Sequence, residues 1–157
     1  MEYVILIFWF LLVAGAVAVI IKFFSKRKTV LWFQNYGKVD IPYVVIDIQG
    51  IPFNMIVDTG CGVSIISSET LQMLDFKESQ RKISLSAITD DAIKSGVVTV
   101  PIEISGKTMD EDFAIYPKTN IGNFNVMYGI TIHGILGNEF LDRRNAKIDY
   151  SKHAIII

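Results

Sequence analysis

The chain has 157 residues, 51% of them hydrophobic, with 15 basic against 16 acidic side chains and a formal net charge of -1. That balance, with no basic face, excludes nucleic acid as the main partner. The single cysteine, Cys61, excludes an intrachain disulfide, so the fold needs no oxidising compartment.

The apolar excess lies at the start. From Val4 to Ile21 no side chain is charged, and with Phe23 and Phe24 the stretch reaches the ~20 residues that cross a bilayer as a helix. A cleaved signal peptide is the alternative, with Ala16-Val17-Ala18 as its cleavage site. Such a peptide carries positive charge before its apolar core, and here only Glu2 precedes it. The charge follows instead, as Lys22, Lys26, Arg27 and Lys28, which keeps that side in the cytoplasm. The sequence therefore predicts a transmembrane anchor over 1–24 that meets the membrane through residues 3–24. A basic juxtamembrane linker follows over 25–38, then one small cytoplasmic domain over 39–157.

Strand signals begin after the basic run. Residues 39–49 are rich in β-branched side chains, and Gly50-Ile51-Pro52 supplies a turn into a second strand over 53–57. This hairpin delivers Asp58 at a strand end. Ser67-Ser68-Glu69-Thr70 followed by Leu71, Met73 and Leu74 predicts a short helix with a serine cap. Between residues 83 and 104 two strands flank a polar turn at Thr89-Asp90-Asp91, the second alternating through Val98, Val100, Ile102 and Ile104. A strand over 113–116 leads into a loop over 118–128. The chain closes with a strand over 130–136, a short helix after Asn138, and a hairpin of 146–150 with 154–157.

Asp58-Thr59-Gly60 occurs once, after an apolar run, and is matched downstream by Ile135-Leu136-Gly137. Alone, the triplet also suits an ordinary turn. Its chemistry is nevertheless specific. Hydrolysis of a peptide bond without a metal or a nucleophilic side chain needs a base to activate water and an acid for the carbonyl oxygen and the departing amine. Two carboxylates sharing one proton supply both. With no internal repeat to encode a second triplet, the second carboxylate has to come from another copy of the chain. Thr59 offers a hydroxyl that bonds across such a dimer, and Gly60 lets backbone and substrate approach closely. His133 and His153 have no partners at metal-ligand spacing, so no metal or cofactor is expected. Asp90 and Asp91 read as turn formers.

The stretch FNMIVDTGCGVS over 53–64 and the stretch HGILGNEFL over 133–141 resemble the two signatures of the retropepsin-like aspartic proteases. The resemblance implies an all-β fold, a closed barrel half with one short helix, active as a homodimer on a peptide or protein substrate. It implies Asp58 as the catalytic residue with Thr59 and Gly60 completing its loop, supported by Ser64, Ile135, Leu136 and Gly137. A hairpin flap is expected at Thr89, Asp90, Asp91, Ala92, Ile93 and Lys94. Cys61 departs from the family's usual alanine or serine, and Gly62-Val63 replace an acidic pair with which some viral members grip substrate. Both departures bear on substrate preference. Two other functions fit the same residues: a catalytically silent binding or dimerisation module, and an extracytoplasmic protease with a cleaved signal peptide.

Overall fold

In a computed structural model of the chain, the described residues are 9, 12–15, 17, 28–34, 38, 41–85, 93–117 and 129–157. Two hairpins with two-residue turns supply much of the framework. Gln49 and Gly50 have φ of 56° and 80°, and Ser105 and Gly106 have φ of 53° and 72°. Two successive positive φ values mark the turn whose twist matches that of its flanking strands. The first turn joins β2 (Tyr43–Ile48) to β3 (Ile51–Val57). The second joins β6 (Ile93–Ile104) to β7 (Lys107–Tyr116).

These hairpins close into a barrel with β4 (Ser64–Ser67) and β8 (Gly134–Leu136). The order around the ring is β2-β3-β8-β4-β7-β6, and a bridge between Asp47 and Glu103 returns β6 to β2. The β3–β8 and β4–β7 pairs are parallel. β5 (Lys77–Leu85) lies outside the ring on β6, with a register shift between Ser79 and Lys82. Alternation along the strands turns Val44, Ile46 and Ile48 inward, where they meet Phe53, Met55, Val100 and Phe113 in one buried core. The ring thus closes on itself through that one bridge.

A second sheet of three strands has the order β1 (Val30–Trp32), β10 (Ala154–Ile156), β9 (Lys147–Asp149). The C-terminal hairpin is as expected. β1 is an addition, since it falls within the stretch read as a linker over 25–38. Its register is secured by Thr29 N–H to Ile157 O at 2.7 Å, and Phe33 behind it is buried.

Several element boundaries move. The strand expected over 39–49 begins at Tyr43, and the first turn is Gln49-Gly50 rather than Gly50-Ile51-Pro52. Pro52 sits inside β3 opposite Asp47, next to the Ile48–Ile51 pair that closes the turn. By the alternation of antiparallel pairs that is a non-hydrogen-bonded position, so its missing N–H costs no ladder bond. The strand expected over 113–116 is only the second half of β7, and that over 130–136 narrows to β8. Among the described residues two short helices accompany the barrel, α1 (Ser68–Leu71) and α2 (Asn138–Arg143), both where the sequence predicts them, whereas the family resemblance implied one. The serine cap of α1 is present, with Thr70 N–H donating to Ser67 Oγ at 3.0 Å.

Most of the 1–24 anchor, the flap residues Thr89 to Ala92 and the loop over 118–128 lie outside the described residues. Ile93 and Lys94 open β6, opposite Leu85 and Ser84. Within the anchor, Trp9, residues 12–15 and Val17 are helical and exposed. Among the described residues no helix is long and apolar enough to cross a membrane.

Candidate active site

β3 ends at Val57, and the next residue leaves the ladder with its carboxylate exposed to solvent. Asp58 N–H donates to Leu136 O at 3.1 Å, which ties the loop to the end of β8. Gly60 N–H donates to Asp58 Oδ1 at 2.8 Å, and Cys61 N–H returns to Asp58 O at 3.2 Å. One carboxylate oxygen is thus held by its own loop. A Cβ on Gly60 would stand 3.1 Å from that oxygen. Thr59, also exposed, borders a shallow cleft of about 210 Å³ floored by Leu141, Ala146 and Ile148.

The downstream Gly137 meets this loop directly. A Cβ there would stand 2.8 Å from Cys61 O and closer still to the Val63 carbonyl. Asn138 N–H donates to Cys61 O at 2.7 Å and Glu139 N–H to Gly62 O at 3.0 Å. These two free donors at the start of α2 thus find their acceptors in the loop's carbonyls. Ile135 pairs with Ile56 on one side and Ile65 on the other. Ser64 Oγ, fully buried, accepts from Gly137 N–H at 3.2 Å. The structure therefore brings Asp58, Thr59, Gly60, Ser64, Ile135, Leu136 and Gly137 into one place.

Cys61 is half-buried, with its thiol donating to Val63 O at 3.0 Å. Burial is the chief cause that pushes the thiol pKa up, and the Asp58 charge adds to the rise. A thiol kept protonated is a poor nucleophile. Gly62 is exposed and Val63 half-buried. His133 Nδ1 accepts from Asn54 N–H at 3.0 Å, and its ring meets Phe53 edge-on. Burial holds the imidazole below its ordinary pKa. Among the described residues no group of His, Cys, Asp and Glu is placed to hold a metal ion.

One cluster escaped the sequence reading. Glu111, on the inward side of β7, is fully buried. Arg143 Nη2 donates to its Oε1 at 2.7 Å, and Ser64 Oγ to the same oxygen at 3.3 Å. Arg144 Nη2 lies 2.9 Å from Oε2 but off the hydrogen-bonding line, so charge alone holds that oxygen. Burial pushes the carboxyl pKa up against the opposing pull of both arginines. The available signal was a charge at an inward strand position, in register with Met109 and Phe113.

The aspartyl protease family model matches residues 44–140, which contain the Asp58 loop and the Gly137 turn. No curated protein sequence matches the chain. Among solved structures, a retropepsin-like aspartic protease from Rickettsia conorii is 18% identical, with a TM-score of 0.52 over 83% of this chain and 89% of that one. EIAV protease in an inhibitor complex is 19% identical, with a TM-score of 0.49 over 74% of this chain and 99% of that one. The retroviral protease-like domain of Ddi1 from Leishmania major is also 19% identical, at a TM-score of 0.48 over 74% and 82%. The Rickettsia likeness is one of fold. With the family match spanning more than half of its length, the chain belongs to the aspartyl protease family.

Proposed function

We propose that this chain is an aspartic endopeptidase that works as a homodimer on peptide or protein substrates, tethered to a membrane by residues 3–24 with its domain on the cytoplasmic side. The observation that carries the reading is Asp58 itself: an exposed carboxylate at a strand end, one oxygen held by Gly60 N–H, in a loop that the chain encodes once. Two such loops meeting on a two-fold axis would bring two carboxylates to one water. The ionised carboxylate takes a proton as the water oxygen attacks the carbonyl carbon, and the protonated one gives its proton to the carbonyl oxygen. The tetrahedral diol collapses as one hydroxyl returns its proton to the ionised carboxylate and the C–N bond breaks, the amine leaving with the proton held by the other carboxyl. Gly60 N–H fixes where the charge sits, and Thr59 lies at the edge that a second copy would approach.

The test is a subunit titration. Wild-type and Asp58→Asn chains are co-expressed at known ratios and cleavage is measured per total chain. In a two-fold dimer, equal amounts pair at random and leave about one quarter of the dimers wild type, so activity falls to about that fraction. A linear fall, with half the activity left, means that each chain works alone and ends the shared-site reading. The tether is supported by a charge-free stretch followed by four cations. A C-terminal tag should resist protease added outside intact cells, and digestion of the tag would reverse the topology.

A further inference from the structure

Glu111 is the only charged side chain among the described residues that is fully buried. Its surroundings are asymmetric. Arg143 reaches it from a half-exposed position, while Arg144 is mostly covered and lies over the Phe140 ring at 4.0 Å. A buried ion pair of this kind is a poor source of stability, because desolvation cancels much of the attraction and an apolar replacement would serve as well. Its place in the core has another reason, and Ser64 supplies one. A serine hydroxyl has a single proton and rotates to suit its neighbours. Here the proton points to Glu111 Oε1, at 3.3 Å, which leaves a lone pair for Gly137 N–H at 3.2 Å. Gly137 in turn follows Leu136, whose carbonyl accepts from Asp58 N–H.

We infer that Glu111 is a positioning residue for the loop that carries Asp58, acting through the Ser64 hydroxyl and the Gly137 amide. Its catalytic consequence rests on the peptidase reading above. A carboxylate is acceptor-only, so it orients the hydroxyl in one direction, and being charged it does so more strongly than a neutral acceptor. An amide cannot replace it. Glutamine with its oxygen toward Ser64 and Arg143 turns its NH₂ on Arg144. With the amide reversed, the NH₂ meets Ser64 and Arg143, and Ser64 loses the acceptor that orients its proton. Arg143 and Arg144 hold the carboxylate in place from the end of α2, so the helix and the loop beside its first turn are coupled through a buried charge.

The experiment follows the Gly137 amide by hydrogen exchange in the full chain, against the Val98 amide as a core control. Glu111→Gln and Ser64→Ala are each expected to speed exchange at Gly137 about tenfold relative to Val98, the order of one lost hydrogen bond. The double variant should be no faster than either single one, because both break the same relay. In cleavage assays kcat should fall by a similar factor with KM unchanged. Should Glu111→Gln fail to fold, the charge-balanced Glu111→Gln/Arg144→Met pair carries the same test. Unchanged exchange at Gly137, or single effects that multiply in the double variant, would overturn the inference. If exchange responds as expected but wild-type chain cleaves nothing, the positioning of the loop stands and the peptidase reading falls.

Discussion

Gly137→Ala is the sharpest test of how the loop and the downstream glycine are joined. The new Cβ would stand 2.8 Å from Cys61 O and closer to the Val63 carbonyl, all backbone atoms with no rotamer to yield. Ordinary carbon contacts begin near 3.5 Å, so the 61–63 segment has to retreat by more than about half an ångström. That movement stretches the Asn138 N–H bond to Cys61 O and the Glu139 N–H bond to Gly62 O, at 2.7 and 3.0 Å. Each is worth about 1 kcal/mol net, and overpacking adds about 1–3 kcal/mol. The sum is about 3–5 kcal/mol. With a urea slope of roughly 1–3 kcal/mol per molar for a domain of this size, the midpoint should drop by about 2 M. Gly62→Ala is the matched control, since nothing lies within 4 Å of a Cβ there, and surface changes of this kind stay within about 0.5 kcal/mol. A Gly137→Ala midpoint that matches the Gly62→Ala one would refute the close approach.

Two further outcomes follow from titrating groups. His133 is held below its ordinary value of 6.5, chiefly by burial. The unfolded chain therefore takes up a proton first, and stability present above about pH 6.5 should decline as pH falls through the lowered value. Urea midpoints measured from pH 7.5 to 5 should show that slope, and His133→Asn, which keeps an acceptor for Asn54 N–H, should flatten it. For cleavage itself, one proton kept by two carboxylates gives a bell-shaped rate profile with its maximum on the acid side of neutrality. A metal chelator should leave the rate unchanged, so inhibition by chelation, or a rate rising into alkaline pH, would count against the carboxylate pair.

The parts of the fold that the sequence displayed are those where a local rule and the tertiary environment agree. The run over 53–57 is apolar because β3 is covered on both faces near its end, and Ser67 caps α1 because its hydroxyl meets Thr70 N–H. The first half of β7 was hidden for the opposite reason. Its inward positions are Met109, Glu111 and Phe113, and a glutamate in the middle reads as solvent-facing until Arg143 and Arg144 are known to lie against it. The Ser105-Gly106 turn was available but lost its force beside the charged stretch 107–112. β1 was missed because three residues carry too little periodicity, and only pairing with β10 makes them a strand. At the site, Asp58-Thr59-Gly60 and Gly137 were visible as motifs, whereas the contact between Gly137 and the Val63 carbonyl exists only once β3, β8 and β4 lie side by side.

The barrel is completed by a single residue pair, Asp47 opposite Glu103. Both are acidic and both are exposed, and like charges facing each other across a ladder repel. Asp47 already has an occupation, since its Oδ1 accepts from Gly50 N–H at 2.7 Å and holds the first turn. The ring is thus fastened by one bridge whose side chains push apart, while the β4–β8 contact, of two residue pairs, is locked beneath buried Ile65 and Ile66. A cylinder with one weak staple behaves as a rolled sheet with a slit. Beneath the slit, β2 and β6 turn Val44, Ile46, Ile48, Val100 and Ile102 into the shared core, and β3 stays paired to β8 beside Asp58, so apolar burial rather than the bridge keeps it shut. Salt screens this exposed pair, so the strain it puts on the closure is greatest at low ionic strength.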